Sequence, residues 1–255
     1  MLRLAELFAA LAVALVVVFW RVWVALPRRL KSQDGGGASG KRAQEAGSAR
    51  TSSAKTLVVL GSGGHTSEMV ALLRGLLLGA KRAPRAGQPG RYAPLVFVLS
   101  ATDKTSLPQM RARGLSALLG AEGDGDAADA GGAAAAKIVR ITRAREVGQR
   151  WGSSALTSAR ACAEALRLVW RERPELVLCN GPGVCVPICL AAFLLRALAS
   201  PRYRPKIVFC ESFCRVSTLS LTGKIMYHVL ADRFVVHWPA LQKRFPKSEY
   251  VGNIY

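Results

Sequence analysis

The segment GSGGHT, residues 61–66, has the residue types best suited to hold a phosphate group. It follows a short apolar run at 56–60 that is typical of a buried strand, and it precedes a helical pattern over 67–77. A glycine-rich turn between a strand and a helix directs backbone N–H groups and the positive end of the helix dipole to one point. The alternative is a tight turn that merely requires glycine. The phosphate-binding residues predicted here are Gly61, Ser62, Gly63, Gly64 and Thr66.

This glycine loop departs from the known nucleotide-binding patterns. Thr66 stands where G-x-G-x-x-G has its third glycine, and the expected acidic residue about 20 positions later is missing. The loop also lacks the lysine of a Walker motif. The pattern gives little support to NAD binding and less to nucleotide hydrolysis, and no cofactor is expected. A membrane-tethered Rossmann-type nucleotide-binding oxidoreductase is kept as the alternative function.

His65 lies at the predicted helix N-terminus, where the helix dipole favours a neutral imidazole. A neutral histidine beside a phosphate site can accept a proton from a sugar hydroxyl, so His65 is a candidate catalytic base. The alternative is a histidine that only caps the helix or contacts a ligand oxygen. Both interpretations stay open from the residues alone.

Two further loops follow predicted strands, CNGPGVC after 175–179 and CESFCRVSTLS after 206–210. Ligands of open parallel sheets collect at the carboxyl ends of the strands, so these loops are expected to meet the glycine loop. Glu211 is suited to bind sugar hydroxyls or act as a base, and Arg215 to pair with a phosphate. The alternative for each of these residues is that it only caps a helix or lies solvated in the loop. The other predicted binding residues of these loops are Asn180, Gly181, Gly183 and Ser212.

Strands and helices alternate along the rest of the chain, with further strands predicted at 95–100, 137–141 and 233–236 and helices at 154–171 and 219–230. This alternation is typical of an α/β fold whose mostly parallel sheet is covered on both faces. The sequence therefore predicts a single Rossmann-like domain over 55–255. Two stretches within it, 79–92 and 120–136, are expected to be disordered insertions.

The N-terminal region predicts a membrane anchor. Residues 7–26 are almost uninterruptedly apolar, which is long enough to cross a bilayer. The linker 27–54 is rich in Gly, Ala, Ser and basic residues, so residues 1–6 are expected to be lumenal and the domain cytosolic. A cleaved signal peptide and a buried helix are the alternatives.

The net charge and the cysteine content narrow the range of possible partners and sites. The net charge of +20 predicts attraction to an anionic partner such as nucleic acid, an acidic membrane or a phosphorylated ligand. The six cysteines form no Cys-x-x-Cys pair and have no histidine at zinc-finger spacing, so reduced structural thiols and no metal are expected.

Five motifs, in this order, resemble a known family: GSGGHTSEM, AREV, LVLCNGPGVCVPICL, ESFCRVSTLSLTGKIMYH and VVHWPALQKRFPKSEYVG. The family is the membrane-anchor subunit, asparagine-linked glycosylation protein fourteen, of the eukaryotic transferase that adds the second N-acetylglucosamine to dolichyl-diphosphate N-acetylglucosamine. The resemblance implies a fold like the N-terminal, acceptor-binding half of a GT-B glycosyltransferase. It also implies a single-pass protein of the endoplasmic reticulum membrane that faces the cytosol.

The same resemblance implies the partners and the roles of residues. A separate cytosolic subunit is expected to bring UDP-N-acetylglucosamine, no nucleic acid is expected to bind, and the isolated chain is expected to be inactive. The glycine loop would hold the acceptor diphosphate, with His65 and Glu211 near the accepting hydroxyl. Which of the two, if either, is the base of the inverting transfer stays open. The residues implied to dock the partner are Val251, Gly252, Asn253, Ile254 and Tyr255.

Overall fold

Within the described residues, seven parallel strands form one sheet in the order β3-β2-β1-β4-β5-β6-β7. A computed structural model describes residues 15–27, 53–78, 92–115, 136–143, 151–181, 183–199 and 202–252. The strands are β1 (Thr56–Val59), β2 (Leu95–Ser100), β3 (Lys137–Ile141), β4 (Leu176–Asn180), β5 (Lys206–Cys210), β6 (Arg233–Val236) and β7 (Glu249–Tyr250).

Helices connect these strands. They are α1 (residues 15–25), α2 (Gly64–Leu78), α3 (Ser106–Met110), α4 (Trp151–Glu172), α5 (Cys185–Leu198), α6 (Leu221–Ile225) and α7 (Pro239–Arg244). Two of them continue into wider turns, α3 into Arg111–Leu115 and α6 into Met226–Leu230. The first of these turns is kinked at Gly114, which has a φ of 80°.

Strand β1 shows why the central strands are continuous apolar runs. Leu57 and Val59 pack into a large cluster around Phe209 on one face of the sheet, whereas Val58 packs into a second cluster with Phe97 on the other face. Because helices cover both faces, every residue of β1 and β2 is buried. The mostly parallel sheet predicted from the sequence is therefore confirmed.

The connections reverse direction at β1. This strand pairs with β2 on one side and with β4 on the other. Loops that leave neighbouring strands on the two sides of such a point diverge over opposite faces of the sheet. They leave a crevice at the carboxyl edge, where ligands of open α/β sheets bind.

The strand predictions hold closely, with three differences. Four strands have the predicted bounds, β1 ends one residue earlier than predicted, at Val59, and β4 is shifted by one residue, to Leu176–Asn180. Strand β7 was not predicted, since its two residues are too few to show any periodicity. The predicted helix 219–230 begins at Leu221, because Ser220 caps its N-terminus by accepting a hydrogen bond from the Gly223 N–H group.

The helix α1 packs its last turn against the domain. Ala25 is 6% exposed within the main core, and the Arg21 guanidinium donates hydrogen bonds to the carbonyls of Ala197 (2.8 Å) and Ala199. Residues 15–20 are exposed. Across the described ranges, no helix combines the length and the apolar character needed to cross a membrane.

Several predicted segments lie partly or wholly outside the described residues. These are 1–6, the first part of the predicted anchor (7–14), most of the linker 27–54, and most of the insertions 79–92 and 120–136. All six cysteines are described, and all are free thiols, as predicted.

Candidate functional site

The three predicted loops meet at the carboxyl edge of the sheet, beside the point where the connections reverse. The amide of Asn180, at the end of β4, donates a hydrogen bond of 2.8 Å to the main-chain carbonyl of His65, which follows β1. The hydroxyl of Ser212, which follows β5, donates a hydrogen bond of 2.7 Å to Oε1 of Glu68 in α2. Loops that are more than a hundred residues apart in the chain are therefore fastened to one another.

Glu68 is the centre of this network. Its Oε1 accepts hydrogen bonds from the Ser212 hydroxyl and from the Phe213 N–H group at 3.2 Å. Its Oε2 accepts a hydrogen bond of 3.2 Å from the Asn180 amide and lies 3.4 Å from Nδ1 of His65. Burial alone would raise the pKa of Glu68, but hydrogen bonds from His65, Ser212 and Phe213 lower it below its ordinary value. The carboxylate is thus held ionised at neutral pH.

His65 lies next to Glu68 and over Gly181. Its side chain is 35% exposed, and Nδ1 faces the Glu68 carboxylate. Gly181 has a φ of 61°, and a Cβ atom built on it would lie 2.2 Å from Cε1 of His65. Gly181 is therefore required both for its backbone conformation and for the space that the imidazole occupies. Among the described residues, no hydrogen-bond partner faces Nε2 of His65, so this nitrogen is left to a ligand.

The glycine loop presents open backbone at the start of α2. Gly63 has a φ of 69°, and Cβ atoms built on Gly63 or Gly64 would meet no atom within 4 Å. Ser62 and Gly64 are exposed. The loop is therefore open around these two glycines at the N-terminus of α2, and the first N–H groups of a helix are suited to accept an anion.

Thr66 and Gly61 support this loop from within. Both are buried, and the Thr66 hydroxyl donates to the Gly61 carbonyl and lies 2.6 Å from the hydroxyl of Ser106. Its side chain is thus engaged with the protein and maintains the shape of the loop, and its predicted role in phosphate binding stays a prediction.

Asn180 leaves one buried polar atom open. The residue is 2% exposed, and both hydrogen bonds of its side chain use the amide nitrogen. No described residue donates a hydrogen bond to Oδ1. A buried acceptor without a partner is costly, so this oxygen is suited to a ligand donor.

Glu211 is bound to its own loop. The residue is only 1% exposed. Its Oε1 accepts a hydrogen bond of 3.0 Å from the Ser212 N–H group. Its Oε2 accepts hydrogen bonds from the N–H group (3.1 Å) and the hydroxyl (3.2 Å) of Ser220. Burial raises the pKa of Glu211 above its ordinary value, although these hydrogen bonds and the Arg215 charge oppose the shift. The carboxyl group shapes the loop from Ser212 to Ser220, and its predicted catalytic role stays a prediction.

Two predicted residues lie further out. Arg215 is exposed, and its backbone N–H donates to the Ser212 carbonyl at 2.9 Å. Gly183 is also exposed, and a Cβ atom on it would meet nothing within 4 Å. The structure therefore brings His65, Asn180 and Ser212 together and leaves Arg215 and Gly183 at the rim.

Sequence reasoning missed Glu68, the residue that joins the site. The available signal was its spacing, since residues three positions apart on a helix are neighbours and His65 and Glu68 have this spacing. Nothing in the sequence indicated that Ser212, 144 positions away, would donate a hydrogen bond to Glu68.

The C-terminal segment leaves the domain at the edge of the sheet. Val251 donates a backbone hydrogen bond of 3.3 Å to Val236, and the Gly252 carbonyl lies 3.2 Å from Nδ1 of His237. Nε2 of His237 lies 3.2 Å from the thiol of Cys210, whose pKa burial raises to about 12. The neutral thiol therefore donates to Nε2, and Nδ1 donates to the carbonyl. Asn253, Ile254 and Tyr255 lie outside the described residues.

Comparison with known proteins places the chain in a family. Residues 56–254 match the family described as "Oligosaccharide biosynthesis protein Alg14 like". The chain is 41% identical over 198 residues to the UDP-N-acetylglucosamine transferase subunit ALG14 of Homo sapiens, with 78% of this chain and 82% of that protein covered. It is 36% identical to the protein of the same name from Mus musculus over 255 residues, the full length of both.

Relatives outside mammals and one solved structure extend this comparison. The subunit ALG14 of Yarrowia lipolytica is 37% identical over 201 residues, with 79% of this chain and 81% of that protein covered. Among solved structures, MurG of Acinetobacter baumannii is 15% identical, with a TM-score of 0.48 and 78% of this chain covered. The match spans 44% of MurG, less than half of its length.

The family match and the mammalian and fungal relatives agree over the domain that carries the three loops. The chain belongs to the Alg14-like family of oligosaccharide biosynthesis proteins.

Proposed function

We propose that this chain is the membrane-anchored, acceptor-binding subunit of an N-acetylglucosaminyltransferase complex. In this proposal it binds dolichyl-diphosphate N-acetylglucosamine and recruits a cytosolic subunit that carries UDP-N-acetylglucosamine. The complex then adds the second N-acetylglucosamine of the lipid-linked precursor used in protein N-glycosylation. Relatives at 36–41% identity are named as subunits of a UDP-N-acetylglucosamine transferase, which supports the assignment.

The observation that carries the proposal is the network around Glu68, which fastens three loops together at the carboxyl edge of the sheet. The N–H groups of Gly63 and Gly64, around which a side chain would meet no atom, would receive the diphosphate. The partnerless Oδ1 of Asn180 would accept a hydrogen bond from a hydroxyl or amide of the acceptor sugar. Each of these features matches one chemical group of the acceptor.

His65 would act as the base. A carboxylate at Nδ1 orients the ring and stabilises the positive charge that forms when Nε2 takes up a proton. In the transfer, the acceptor hydroxyl oxygen attacks the anomeric carbon of the donor sugar, and UDP leaves with the electrons of the broken bond. The hydroxyl proton moves to Nε2 of His65. The contact of 3.4 Å is expected to tighten when the substrates bind.

The donor sugar would come from the partner. The described residues form one Rossmann-like sheet, which in this proposal supplies one half of a two-domain glycosyltransferase. Val251, 47% exposed, and Gly252 would begin the surface that docks the partner, together with residues 253–255. Closing the two subunits would align the hydroxyl with the anomeric carbon.

The membrane anchor would hold the complex at its lipid substrate. Residues 7–26 form the proposed span in the endoplasmic reticulum membrane, and the domain would face the cytosol. The exposed apolar side chains of Leu15, Phe19 and Trp20 on α1 support membrane contact. Confining enzyme and lipid acceptor to one surface raises their effective concentration.

The proposal is tested with the full chain, alone and with its partner subunit, in detergent or nanodiscs. The isolated chain is expected to bind a short-chain polyprenyl-diphosphate N-acetylglucosamine but to transfer no sugar, and transfer is expected only in the complex. The variant Gly64→Leu is expected to weaken acceptor binding at least about tenfold, because its side chain fills the space meant for the diphosphate.

A matched control makes the result specific. Gly75→Leu introduces the same side chain on the same helix, where a Cβ atom also meets nothing within 4 Å, and it is expected to bind acceptor normally. Equal acceptor affinity of the two variants would remove the glycine loop from the site. Sugar transfer by the purified chain without its partner would overturn the proposal that the partner subunit must supply the donor sugar.

A further inference from the structure

A cavity of about 410 Å³ lies at the amino edge of the sheet, opposite the candidate site. Lys206 and Arg233, the first residues of β5 and β6, stand on one side of it, and Ala25 of α1 stands on the other. The cavity is thus formed where the N-terminal helix meets the domain.

The cavity contains a buried guanidinium with unused donors. Only 6% of the Arg196 side chain is exposed, and its Nη1 donates to both oxygens of Asp232 at 2.8 and 2.7 Å and to the Pro205 carbonyl at 3.4 Å. Its Nε and Nη2 have no hydrogen-bond partner among the residues described. Arg196 also lines the cavity, and buried donors of a charged group that have no partner are suited to bind an anion.

The other charges around the cavity are mainly positive. Arg204 and Lys206 also line it, and no described residue provides an ion-pair or hydrogen-bond partner for the Lys206 ammonium. Arg233 pairs with Glu249. The carboxylate in the lining, Asp232, is already engaged by Arg196 and by the Ile207 N–H group at 2.8 Å. Lys206 is therefore a cation of the lining that the carboxylate of the lining does not engage.

The rest of the lining is apolar and leads outward along α1. Val24, Ala25 and Leu26 contribute one wall, with Val208 of β5 opposite. Beyond this wall, α1 exposes apolar side chains that include Leu15 (60%) and Phe19 (70%). A ligand that fits has an anionic group for the cations and an apolar chain for the helix.

We propose that this cavity binds the phosphate group of an acidic phospholipid, with the acyl chains lying along α1. The phosphate oxygens accept hydrogen bonds from Nε and Nη2 of Arg196 and an ion pair from Lys206. The lipid then fills the junction between α1 and the sheet, and so fixes the domain relative to the membrane surface. The proposal does not depend on the acceptor site, which lies at the other edge of the sheet.

The test uses the purified full chain in a nonionic detergent. It is titrated with dihexanoyl phosphatidic acid, and binding is followed by calorimetry and by the fluorescence of the tryptophans on α1. Dihexanoyl phosphatidylcholine tests the requirement for negative charge, and inorganic phosphate tests the requirement for an acyl chain. The phosphatidic acid is expected to bind saturably, and both other probes at least about tenfold more weakly.

Four variants locate the binding. Lys206→Gln is expected to weaken phosphatidic acid binding about tenfold, whereas Lys243→Gln removes the same charge from exposed helix α7 and is expected to have no effect. Val24→Phe keeps the charge but fills the cavity, and it is also expected to weaken binding. Gly64→Leu, at the other edge of the sheet, is expected to leave it unchanged.

The outcomes separate the possible ligands. Equal affinity of the Lys206→Gln and Lys243→Gln variants would overturn the site, as would loss of phosphatidic acid binding in Gly64→Leu. Inorganic phosphate that binds as tightly as phosphatidic acid would overturn the lipid assignment in favour of a free anion. Equal binding of phosphatidylcholine would overturn the requirement for a negatively charged head group.

Discussion

At the carboxyl edge of the sheet, both oxygens of Glu68 are engaged by side chains and backbone from three loops. At the amino edge, the buried guanidinium of Arg196 has two nitrogens without a partner in the described part of the chain. The first arrangement is a site whose charged group is already oriented by the protein. The second is a charged group whose donors are not all used by the described residues, which is why we propose a ligand there.

The two ends of the amino edge differ in whether their lysines have a carboxylate partner. Near β1 and β3, the carboxylate of Glu172 lies 2.9 Å from the ammonium groups of both Lys55 and Lys137. Near β5 and β6, Lys206 has no comparable carboxylate among the described residues. The protein therefore gives both lysines at one end of this edge a shared carboxylate partner, whereas within the described ranges Lys206 has no such partner where α1 packs.

The largest expected effect tests the orientation of the carboxyl-edge site. Gly181→Ala places a Cβ atom 2.2 Å from the His65 ring, so the imidazole must move away from its position beside Glu68. We expect the turnover of the assembled transferase to fall about a hundredfold, because a displacement of the base by about 1 Å is enough for such a loss. The measurement is the initial rate of sugar transfer at saturating donor.

The control for this variant separates backbone strain from displacement of the imidazole. Gly114→Ala also puts a side chain at a positive φ (80°), but there a Cβ atom meets nothing within 4 Å. Its expected effect is a modest loss of stability with normal turnover. Equal turnover of the two variants would show that the position of His65 does not matter for the reaction.

An intermediate effect is expected at the end of the amino edge where Glu172 pairs with two lysines. Hydrogen bonds from Lys137 and Lys55 outweigh the effect of burial and lower the pKa of Glu172 to about 2. Glu172→Gln is expected to reduce the free energy of unfolding at pH 7 by about 1–2 kcal/mol, a value discounted for the partial exposure of both lysines. Urea denaturation of the wild type and the variant measures this difference.

The same pair of proteins shows a pH dependence of known sign. The pKa of Glu172 is lower in the folded state than its ordinary value of 4.5. The ionised carboxylate therefore contributes to the free energy of unfolding above pH 4.5, and this contribution is lost as the pH falls towards 2. The stability difference between wild type and variant is thus expected to shrink over this range. A difference that stayed constant down to pH 3 would show that the ion pairs do not stabilise the fold.

The smallest effect is expected at the C-terminal segment. Val251→Asp places a charge on an exposed apolar residue of the proposed docking surface, and is expected to weaken association with the partner subunit about fivefold to tenfold. Val229→Asp, at a similarly exposed valine (43%), serves as the control. Co-purification at matched concentrations measures the effect, and equal yields would exclude Val251 from the interface.

Much of the fold was predictable because its strands are short apolar runs bounded by turn residues. The bounds of β2, β3, β5 and β6 agree with those read from the sequence. Helix α3 was not predicted, since it spans five residues and includes Pro108, a residue that normally interrupts a helix. The two residues of β7 form a strand because β6 offers an unpaired edge.

The sequence by itself determined the alternation of strands and helices and the glycine-rich turn that opens α2, because these depend on backbone preferences and on apolar periodicity over a few residues. Only the tertiary structure decided that Glu68 would join Asn180 and Ser212, and that Arg196 would lie beside α1. These contacts depend on the order in which strands pair across the sheet. That order is set by the burial of whole faces, and no local pattern of residues specifies it.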